Sequence, residues 1–434
     1  MNPDAQKELT KEQREHFSWL NDDGLRHLCG VLQNAKANSV RFVGGCVRDC
    51  LLGIVPDDLD MAASIEPDQV MAILRAAKIK AIPTGIEHGT ITAVLKNDQT
   101  VEITTLRKDM ETDGRHAIVK YTDDWAEDAA RRDFTINAIY ISPDGVLYDP
   151  VGGLEDIAGK QIRFIGDPQE RIREDYLRIL RFFRFSARFS TVFDPEGLAA
   201  AAQLKEGIDK LSKERVGSEF LKILALPRAA EAIAVMREQN ILSRLWADAD
   251  QITADDVDRL RTFKGVEDGA LNQPIASMAS LLTLIIASDE ETVTDLQKNL
   301  RLSRKQVKAI NALQSGLGNI IEVAGDVEAR RALYKTGDEF WEGALYLAQS
   351  FAPDRAAFFR PYKSLPQDWP VPKFSLSGRD LLEYGLDAGP EISRILNEIE
   401  RQWIAADFPP ENQLREMLEH YLAGKPNDLP TNIV

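Results

Sequence analysis

The hydrophobic period of this chain changes once, near residue 150, and that change limits the folds open to it. Before it, apolar runs are short and strand-like: SVRFVGG, LDMAAS, GTITAVL, TVEITTLR and AIYISPDGVLYDP, with helical stretches such as EPDQVMAILRAAK between them. Gly, Pro and Asp mark the turns, as in KNDQT and SPDG. After DPVGGLEDIAGKQIRFIG, the segment ERIREDYLRILRFFRFSARF opens an almost unbroken series of helical segments. Apolar residues recur at helical spacing in LRILRFFRF, KERVGSEFLKILAL, MASLLTLIIAS and FWEGALYLAQSFA. The pattern predicts an α+β N-terminal region with a small mixed sheet, followed by an all-α remainder. At 434 residues the chain exceeds one ordinary core, so two to four domains are expected. The Pro-rich stretch SLPQDWPVPKF, residues 364–374, is the best linker candidate.

Composition narrows the chemistry. With 44% hydrophobic and 28% charged residues the chain is expected to fold and stay soluble. Its start, MNPDAQKELTKEQREHF, is polar and helix-prone, and IASMASLLTLIIAS is shorter than the roughly 20 apolar residues a bilayer span needs. Both point to the cytoplasm and away from a membrane. Cys29, Cys46 and Cys50 form no paired metal-ligand spacing, and the five histidines form no HxxxH, HExxH or His-Asp pattern. Any metal is therefore expected on carboxylates. The net charge of −16 argues against nonspecific coating of nucleic acid. From Lys160 to Arg188, however, eight basic residues stand against four acidic ones, which suggests one placed polyanion site or a solvated helix face.

The stretch FVGGCVRDCLLGIVPDDLD, residues 42–60, concentrates the candidate chemistry. Gly44 and Gly45 let backbone N–H groups approach an anion, and Arg48 follows on an expected helix start. In a strand, Asp58 and Asp60 of DLD point the same way, and paired carboxylates on one face suit a hard divalent ion such as Mg²⁺. Asp57 then falls on the opposite face. In TVEITTLR, Glu102 alternates with Val101 and Ile103 and could reach the same place from a neighbouring strand, or simply face solvent. DAARRDFTINAIY adds Arg131 and Arg132 beside Asp133, then Asn137 as a hydrogen-bonding group. Two metals on such a cluster are what phosphoryl or nucleotidyl transfer needs.

The order of motifs, VGGCVRDCLLG, DLD, HGTITAVL, VEITTLR, DGRHAIVKYTDDWAEDAARRDFTINAIY, YDPVGGLEDIAGKQIRFIGDP and REDYLRILRFFRFSARF, resembles the class II tRNA nucleotidyltransferases. These are the CCA-adding enzymes of the DNA polymerase beta-like nucleotidyltransferase superfamily. The likeness is dense from about residue 40 to 225, and RRDFTINA and the EDYLR helix start are its most specific parts. It implies that Asp58 and Asp60 bind Mg²⁺, with Glu102 a third, less secure catalytic carboxylate. It also implies that Gly45, Arg48 and Arg132 bind nucleotide, that Asp175 and Arg178 read the incoming base, and that Arg181 and Arg184 make further nucleotide contacts. The organisation it implies is an N-terminal helical extension (1–35), a nucleotidyltransferase head (36–155), a helical neck that recognises the base (156–225), a helical body (226–363) and a helical tail that contacts tRNA (364–434). The expected substrates are tRNA, CTP and ATP. One departure is Ala63, where the family usually has threonine.

Spacing agrees with the base-reading role. Positions 175, 178, 181 and 184 follow at i+3, a slowly rotating stripe on one helix. An ionised Asp only accepts and an Arg only donates, so the pair can serve the amino group and ring nitrogen of both cytosine and adenine. Uracil and guanine present a carbonyl to the carboxylate and are disfavoured by the cost of an unpaired buried polar group. Three rivals remain: a bacterial poly(A) polymerase, which shares the head; a partial enzyme adding only CC or only A; and a catalytically inert RNA-binding protein. AIPTGIEHGTITAVL lacks the basic GRRF-type segment of the first, and RKDMETDGRHAIVKYTDDW is read as the loop that A addition needs.

Overall fold

The computed structural model describes residues 6–113, 116–285 and 290–424, with the backbone alone for residues 88, 109–113, 116–119, 247 and 290–292. It comprises two compact units, Met1–Gln251 and Ile252–Val434.

The first unit is built on a mixed sheet of eight strands: β1 (Gln6–Glu8), β2 (Val40–Val43), β3 (Leu59–Ala63), β4 (Lys80–Gly85), β5 (Thr90–Val94), β6 (Thr100–Thr105), and β9 (Tyr140–Ile141) with β10 (Val146–Tyr148). The order is β1-β10-β9-β2-β3-β6-β5-β4. Neighbours are antiparallel except β3 and β6, which run parallel with Asp60 opposite Glu102. The two remaining strands, β7 (Arg107–Asp113) and β8 (His116–Tyr121), form a separate ribbon. The stretch read as a loop therefore carries paired strands; its residues 114 and 115 lie outside the described residues.

Period-two alternation sorts the sheet's two faces. Leu59, Met61 and Ala63 of β3, Val101 and Ile103 of β6, and Val40 and Phe42 of β2 join one core cluster. Helices α2 (Asp23–Ala35) and α4 (Pro67–Ala76) close it with Leu25, Leu28, Leu32, Val70 and Leu74. Asp60 and Glu102 are thereby left on the other face. There Ala62, Leu106, Tyr140 and Tyr148 pack with Trp125 and Ala129 of α5 (Trp125–Ala130).

The N-terminal extension is not wholly helical. β1 adds an edge strand to the sheet before α1 (Lys11–His16) and α2. β4 also escapes a pattern search, since it carries Pro83 and is mostly exposed, as tolerated only on an edge strand. The helices that complete the unit are α3 (Gly45–Leu51), α6 (Gly153–Gly159), α7 (Pro168–Glu174), α8 (Leu177–Phe189), α9 (Pro195–Gln203), α10 (Lys213–Leu224) and α11 (Ala229–Glu238).

The second unit is helical throughout its described residues apart from connections. α12 (Ala254–Glu267), α13 (Gln273–Leu284), α15 (Arg304–Ile321) and α17 (Asp338–Phe351) pack together, with α14 (Glu290–Leu300) and α16 (Asp326–Thr336) between them in sequence. Beyond a stretch without regular structure at 370–377, Leu381, Ile395, Ile399, Trp403, Leu414 and Leu418 form a separate small core. No described helix is long and apolar enough to cross a membrane.

Candidate nucleotide and metal site

Helices α3, α8 and α10, strand β3 and the loops before α3, after α5 and before α8 surround a cavity of about 470 Å³ in the first unit. Gly45, Arg48, Asp60, Arg132, Asp175, Arg178 and Arg181 all line it, as do Arg131, Asp133, Asn137, Phe185 and Arg215. Six of the seven residues expected to bind nucleotide thus meet in one place. Arg184 is absent from the lining; its Nε lies 2.9 Å from Glu219 Oε1 on α10, and burial lowers its pKa despite that partner. Asp58 and Glu102 are also outside the lining.

β2 delivers the chain to the site through Gly44, which has φ 75° and caps α3. A side chain is disfavoured in that conformation, so the glycine pair sets how α3 begins. Arg48 on α3 is buried and held from two sides: Nη1 donates to Asn137 Oδ1 at 2.6 Å and Nε to Asp49 Oδ1 at 2.8 Å. Its guanidinium also lies over the Phe189 ring at 4.5 Å. Burial lowers its pKa, with Asp49 the main opposing influence.

The carboxylates differ from the strand reading. β3 starts at Leu59, and Asp58 sits in the bend just before it, so period-two alternation places Asp60 but does not place Asp58. Asp60 is half-buried and its carboxyl is raised, first by burial and then by Glu102, with Asp58 adding to it and Arg132 and Arg48 opposing. Among the described residues no three His, Cys, Asp or Glu side chains converge as a complete ligand set. Two crowded carboxylates still fit a hard divalent cation, since Mg²⁺ commonly takes one or two protein carboxylates and completes its shell with phosphate and water oxygens. The repulsion felt by Asp60 is the kind that such an ion relieves.

Asp128, buried on α5, organises the arginines. Its Oδ1 accepts from Arg131 Nη2 at 2.7 Å, and its Oδ2 from Arg132 Nη2 at 3.2 Å and from the Tyr140 hydroxyl at 2.8 Å. Burial works against charge on Arg132, but Tyr140 and Asp128 outweigh it and keep the guanidinium charged. Asp133 accepts from Arg181 Nε at 2.7 Å and from Asn137 Nδ2 at 3.0 Å. The Thr135–Asn137 turn is held from behind by α6, where Gly153 packs so closely that a Cβ would lie 2.3 Å from the Thr135 carbonyl oxygen.

The base-reading stripe is also revised. α7 ends at Glu174, Asp175 is extended with φ −153°, and α8 begins at Leu177, so only Arg178, Arg181 and Arg184 share the helix. Asp175 precedes the Tyr176 N-cap of α8 and accepts from the Leu177 N–H at 3.1 Å, a turn contact that suits a short carboxylate outside the helix. Its other oxygen accepts from Arg215 Nη2 of α10 at 2.7 Å. Arg178 pairs not with Asp175 but with Glu174 Oε2 at 2.5 Å, and it donates to the Arg171 and Arg131 carbonyls at 2.8 and 3.1 Å. Sequence reading missed Arg215, Asp128 and Phe185. Asp128 stands three and four residues before Arg131 and Arg132, and that helical spacing was the available signal; nothing local marked Arg215.

Comparison with known proteins agrees with this geometry. Residues 40–163 match the family model of the poly A polymerase head domain, 192–251 one described as an RNA and SrmB binding site of polymerase A, and 273–417 one for tRNA nucleotidyltransferase domain 2. The mitochondrial CCA tRNA nucleotidyltransferase 1 of Homo sapiens is 34% identical over 91% of this chain and 89% of its own length. The CCA-adding enzyme of Levilactobacillus brevis is 30% identical over 85% of this chain and 90% of its own. The crystal structure of the Bacillus stearothermophilus CCA-adding enzyme in complex with CTP superposes with a TM-score of 0.72 at 26% identity, over 93% of this chain and 99% of that one. With a relative at this identity matched over nearly its whole length, the chain belongs to the class II CCA-adding tRNA nucleotidyltransferases.

Proposed function

We propose that the chain adds C, C and A in order to the 3′ end of tRNA from CTP and ATP without a nucleic-acid template. The observation that carries this reading is the meeting, around one cavity, of Asp60 with Arg48 and Arg132 on one side and Asp175, Arg178 and Arg181 on the other. In each step the 3′ hydroxyl oxygen of the RNA bonds to the nucleotide's α-phosphorus, the α–β bridge breaks, and the hydroxyl proton and pyrophosphate depart.

Asp58 and Asp60 hold divalent ions, Mg²⁺ by ligand chemistry, with Glu102 contributing negative charge beside them. When bound, such ions lower the pKa of the attacking hydroxyl and stabilise the leaving phosphate. Gly45, Arg48 and Arg132 bind the nucleotide, the two guanidinium groups being held in place by Asp49 and Asp128. Asp175 and Arg178 read the base edge; Arg181, held by Asp133, makes a further nucleotide contact, and Arg184 acts from behind through Glu219. Residues 1–35 serve as an N-terminal extension, 36–155 as head, 156–225 as neck, 226–363 as body, and 364–434 as a tail that contacts tRNA. Cytoplasmic residence belongs to the same proposal, and three buried, unpaired cysteines suit a reducing compartment.

Purified protein, Mg²⁺ and all four nucleoside triphosphates are incubated with tRNA ending before CCA, tRNA ending after CC, and an unstructured RNA. Ordered addition of C, C and A that then stops, on tRNA alone, is expected. A long A tail overturns the reading in favour of a poly(A) polymerase, addition of only CC or only A in favour of a partial enzyme, and no incorporation in favour of an inert binding protein.

A further inference from the structure

Arg48 and Arg181 reach the cavity from different helices, α3 and α8, and 133 residues of chain separate them. A nucleotide held at one end by α3 and read at the other by α8 requires the two helices to keep a fixed relation. A 1 Å misplacement in such a site can cost about 10²-fold in rate. Two side chains, Asn137 and Asp133, carry the hydrogen-bonded path between them. Asn137 Oδ1 accepts from Arg48 Nη1 at 2.6 Å, Asn137 Nδ2 donates to Asp133 Oδ1 at 3.0 Å, and Asp133 Oδ2 accepts from Arg181 Nη2 at 2.5 Å. On the far side of Arg48 the hydrogen-bonded path ends at Asp49, whose ion pair with Arg188 Nη2 at 3.6 Å meets α8 two turns beyond Arg181. Phe185 stands between those two positions, and the Arg48 and Arg181 guanidinium groups each lie 5.2 Å from its ring centre.

The amide is the group this place requires. It must accept from a guanidinium and donate to a carboxylate at once, and Asn does both with a short, stiff side chain. A carboxylate there would face Asp133 with no proton to give, and an alkyl group would remove one buried hydrogen bond from each partner and break the link between them. Asn137 is itself fixed: it is buried, its N–H bonds to the Phe134 carbonyl at 2.9 Å, and its turn is backed by Gly153 of α6.

We propose that Asn137 is a positioning residue that couples the nucleotide-binding arginine Arg48 to the base-reading helix through Asp133 and Arg181. The inference rests on the reading of the cavity as the CTP and ATP site. Asn137 touches neither the metal carboxylates nor the base-reading pair in this structure. Its effect is on the geometry of the arginines rather than on the chemical step.

The test is a double-mutant cycle on the full-length protein. Arg48→Lys, Arg181→Lys and the double variant are made with Asn137 present and again with Asn137→Ala, and kcat/KM is measured for CTP and ATP. With Asn137 present, the two arginine substitutions are expected to be non-additive by at least about fivefold, as for residues in one hydrogen-bonded network. With Asn137→Ala the two effects should multiply to within about twofold. Asn137→Ala alone should raise KM for CTP and ATP by the same factor, about tenfold, and leave KM for tRNA unchanged. Thermal melts check folding. If Asn137→Ala melts below the assay temperature, the isosteric Asn137→Asp replaces it; this variant keeps the acceptor for Arg48 and loses the donor to Asp133, so the same loss of coupling is expected. Coupling that survives either substitution, or a rise in KM for tRNA alone, overturns the proposal. Wild-type protein that adds no CCA in the same assay overturns the functional reading instead, which keeps the two failures distinct.

Discussion

Asp60 stands directly opposite Glu102 in the parallel register of β3 and β6, and both side chains lie on the face away from the sheet's main core. The Asp60 carboxyl is raised by burial first and by Glu102 next. A carboxyl whose folded pKa exceeds its unfolded value makes its ionisation unfavourable to folding. That destabilisation is absent below the unfolded value and is present in full above the folded one. Asp60→Asn is therefore expected to raise the melting temperature at pH 8 in the presence of a chelator and to change nothing near pH 3. Adding Mg²⁺ should raise the wild-type melting temperature and leave that of the variant fixed. Nucleotide incorporation should fall by at least about 10³-fold, since metal stabilisation of the transition state is worth several kcal/mol. Thermal melts across pH, with and without Mg²⁺, check the first two expectations, and incorporation assays the third.

Asp128 poses the opposite case. Burial alone would raise its carboxyl, but Arg132, Arg131 and Tyr140 together hold it below the ordinary carboxylate value. A depressed folded pKa contributes stability that is complete above the unfolded value, about 3.9, and is lost as pH falls through the folded value. Asp128→Ala strands two guanidinium groups and should cost about 3–5 kcal/mol at pH 7. The gap to wild type should close only below about pH 4. Denaturant midpoints of both proteins at pH 7 and pH 3 provide the comparison.

Gly153 and Gly159 bracket α6 and differ sharply in their surroundings. A Cβ on Gly153 would meet the Thr135 carbonyl oxygen at 2.3 Å, whereas one on Gly159 meets only the Gln161 side chain, at 3.6 Å. Backbone cannot yield as a flexible side chain does, so Gly153→Ala should destabilise by about 1–3 kcal/mol while Gly159→Ala stays near neutral. Because Thr135 begins the turn that ends at Asn137, Gly153→Ala should also raise KM for CTP and ATP. Melting temperatures and steady-state kinetics of the two variants separate these outcomes.

How much of this was legible follows from the range of each signal. Alternation in LDMAAS and TVEITTLR placed Asp60 and Glu102 on one face, because a strand's period is fixed by its backbone. The start of β3 was not legible: DDLD has no feature that marks where pairing with β6 begins, so Asp58 was put on the strand when it lies in the bend before it. REDYLR read as one helix because its residues all tolerate helix. The break at Asp175 comes with a turn contact to the Leu177 N–H and an ion pair with Arg215, which lies 40 residues away. The motif order identified which side chains meet; Asn137 was marked there as a hydrogen-bonding group without its partners, Asp128 aims Arg131 and Arg132 at local i,i+3 and i,i+4 spacing that went unread, and Arg215 is a tertiary contact that no local pattern carries.

That ion pair bears on the most direct test of base choice. Asp175 accepts from the Leu177 N–H with one oxygen and from Arg215 with the other, so its carboxylate is fixed before any base arrives. Cytosine and adenine offer an amino donor to such an acceptor; uracil and guanine offer a carbonyl. Asp175→Ala removes that penalty, and kcat/KM for UTP and GTP relative to CTP and ATP should rise by about 10- to 100-fold, the worth of one unpaired buried polar group. Affinity for the triphosphate should change less, because Arg48 and Arg132 are held by Asp49, Asn137 and Asp128 and none of these touches Asp175. Arg215→Ala should shift selectivity in the same direction by a smaller factor, since the carboxylate remains but loses one of its two restraints. Single-nucleotide incorporation assays with each triphosphate give the ratios, and wild-type selectivity in Asp175→Ala would remove Asp175 from base recognition.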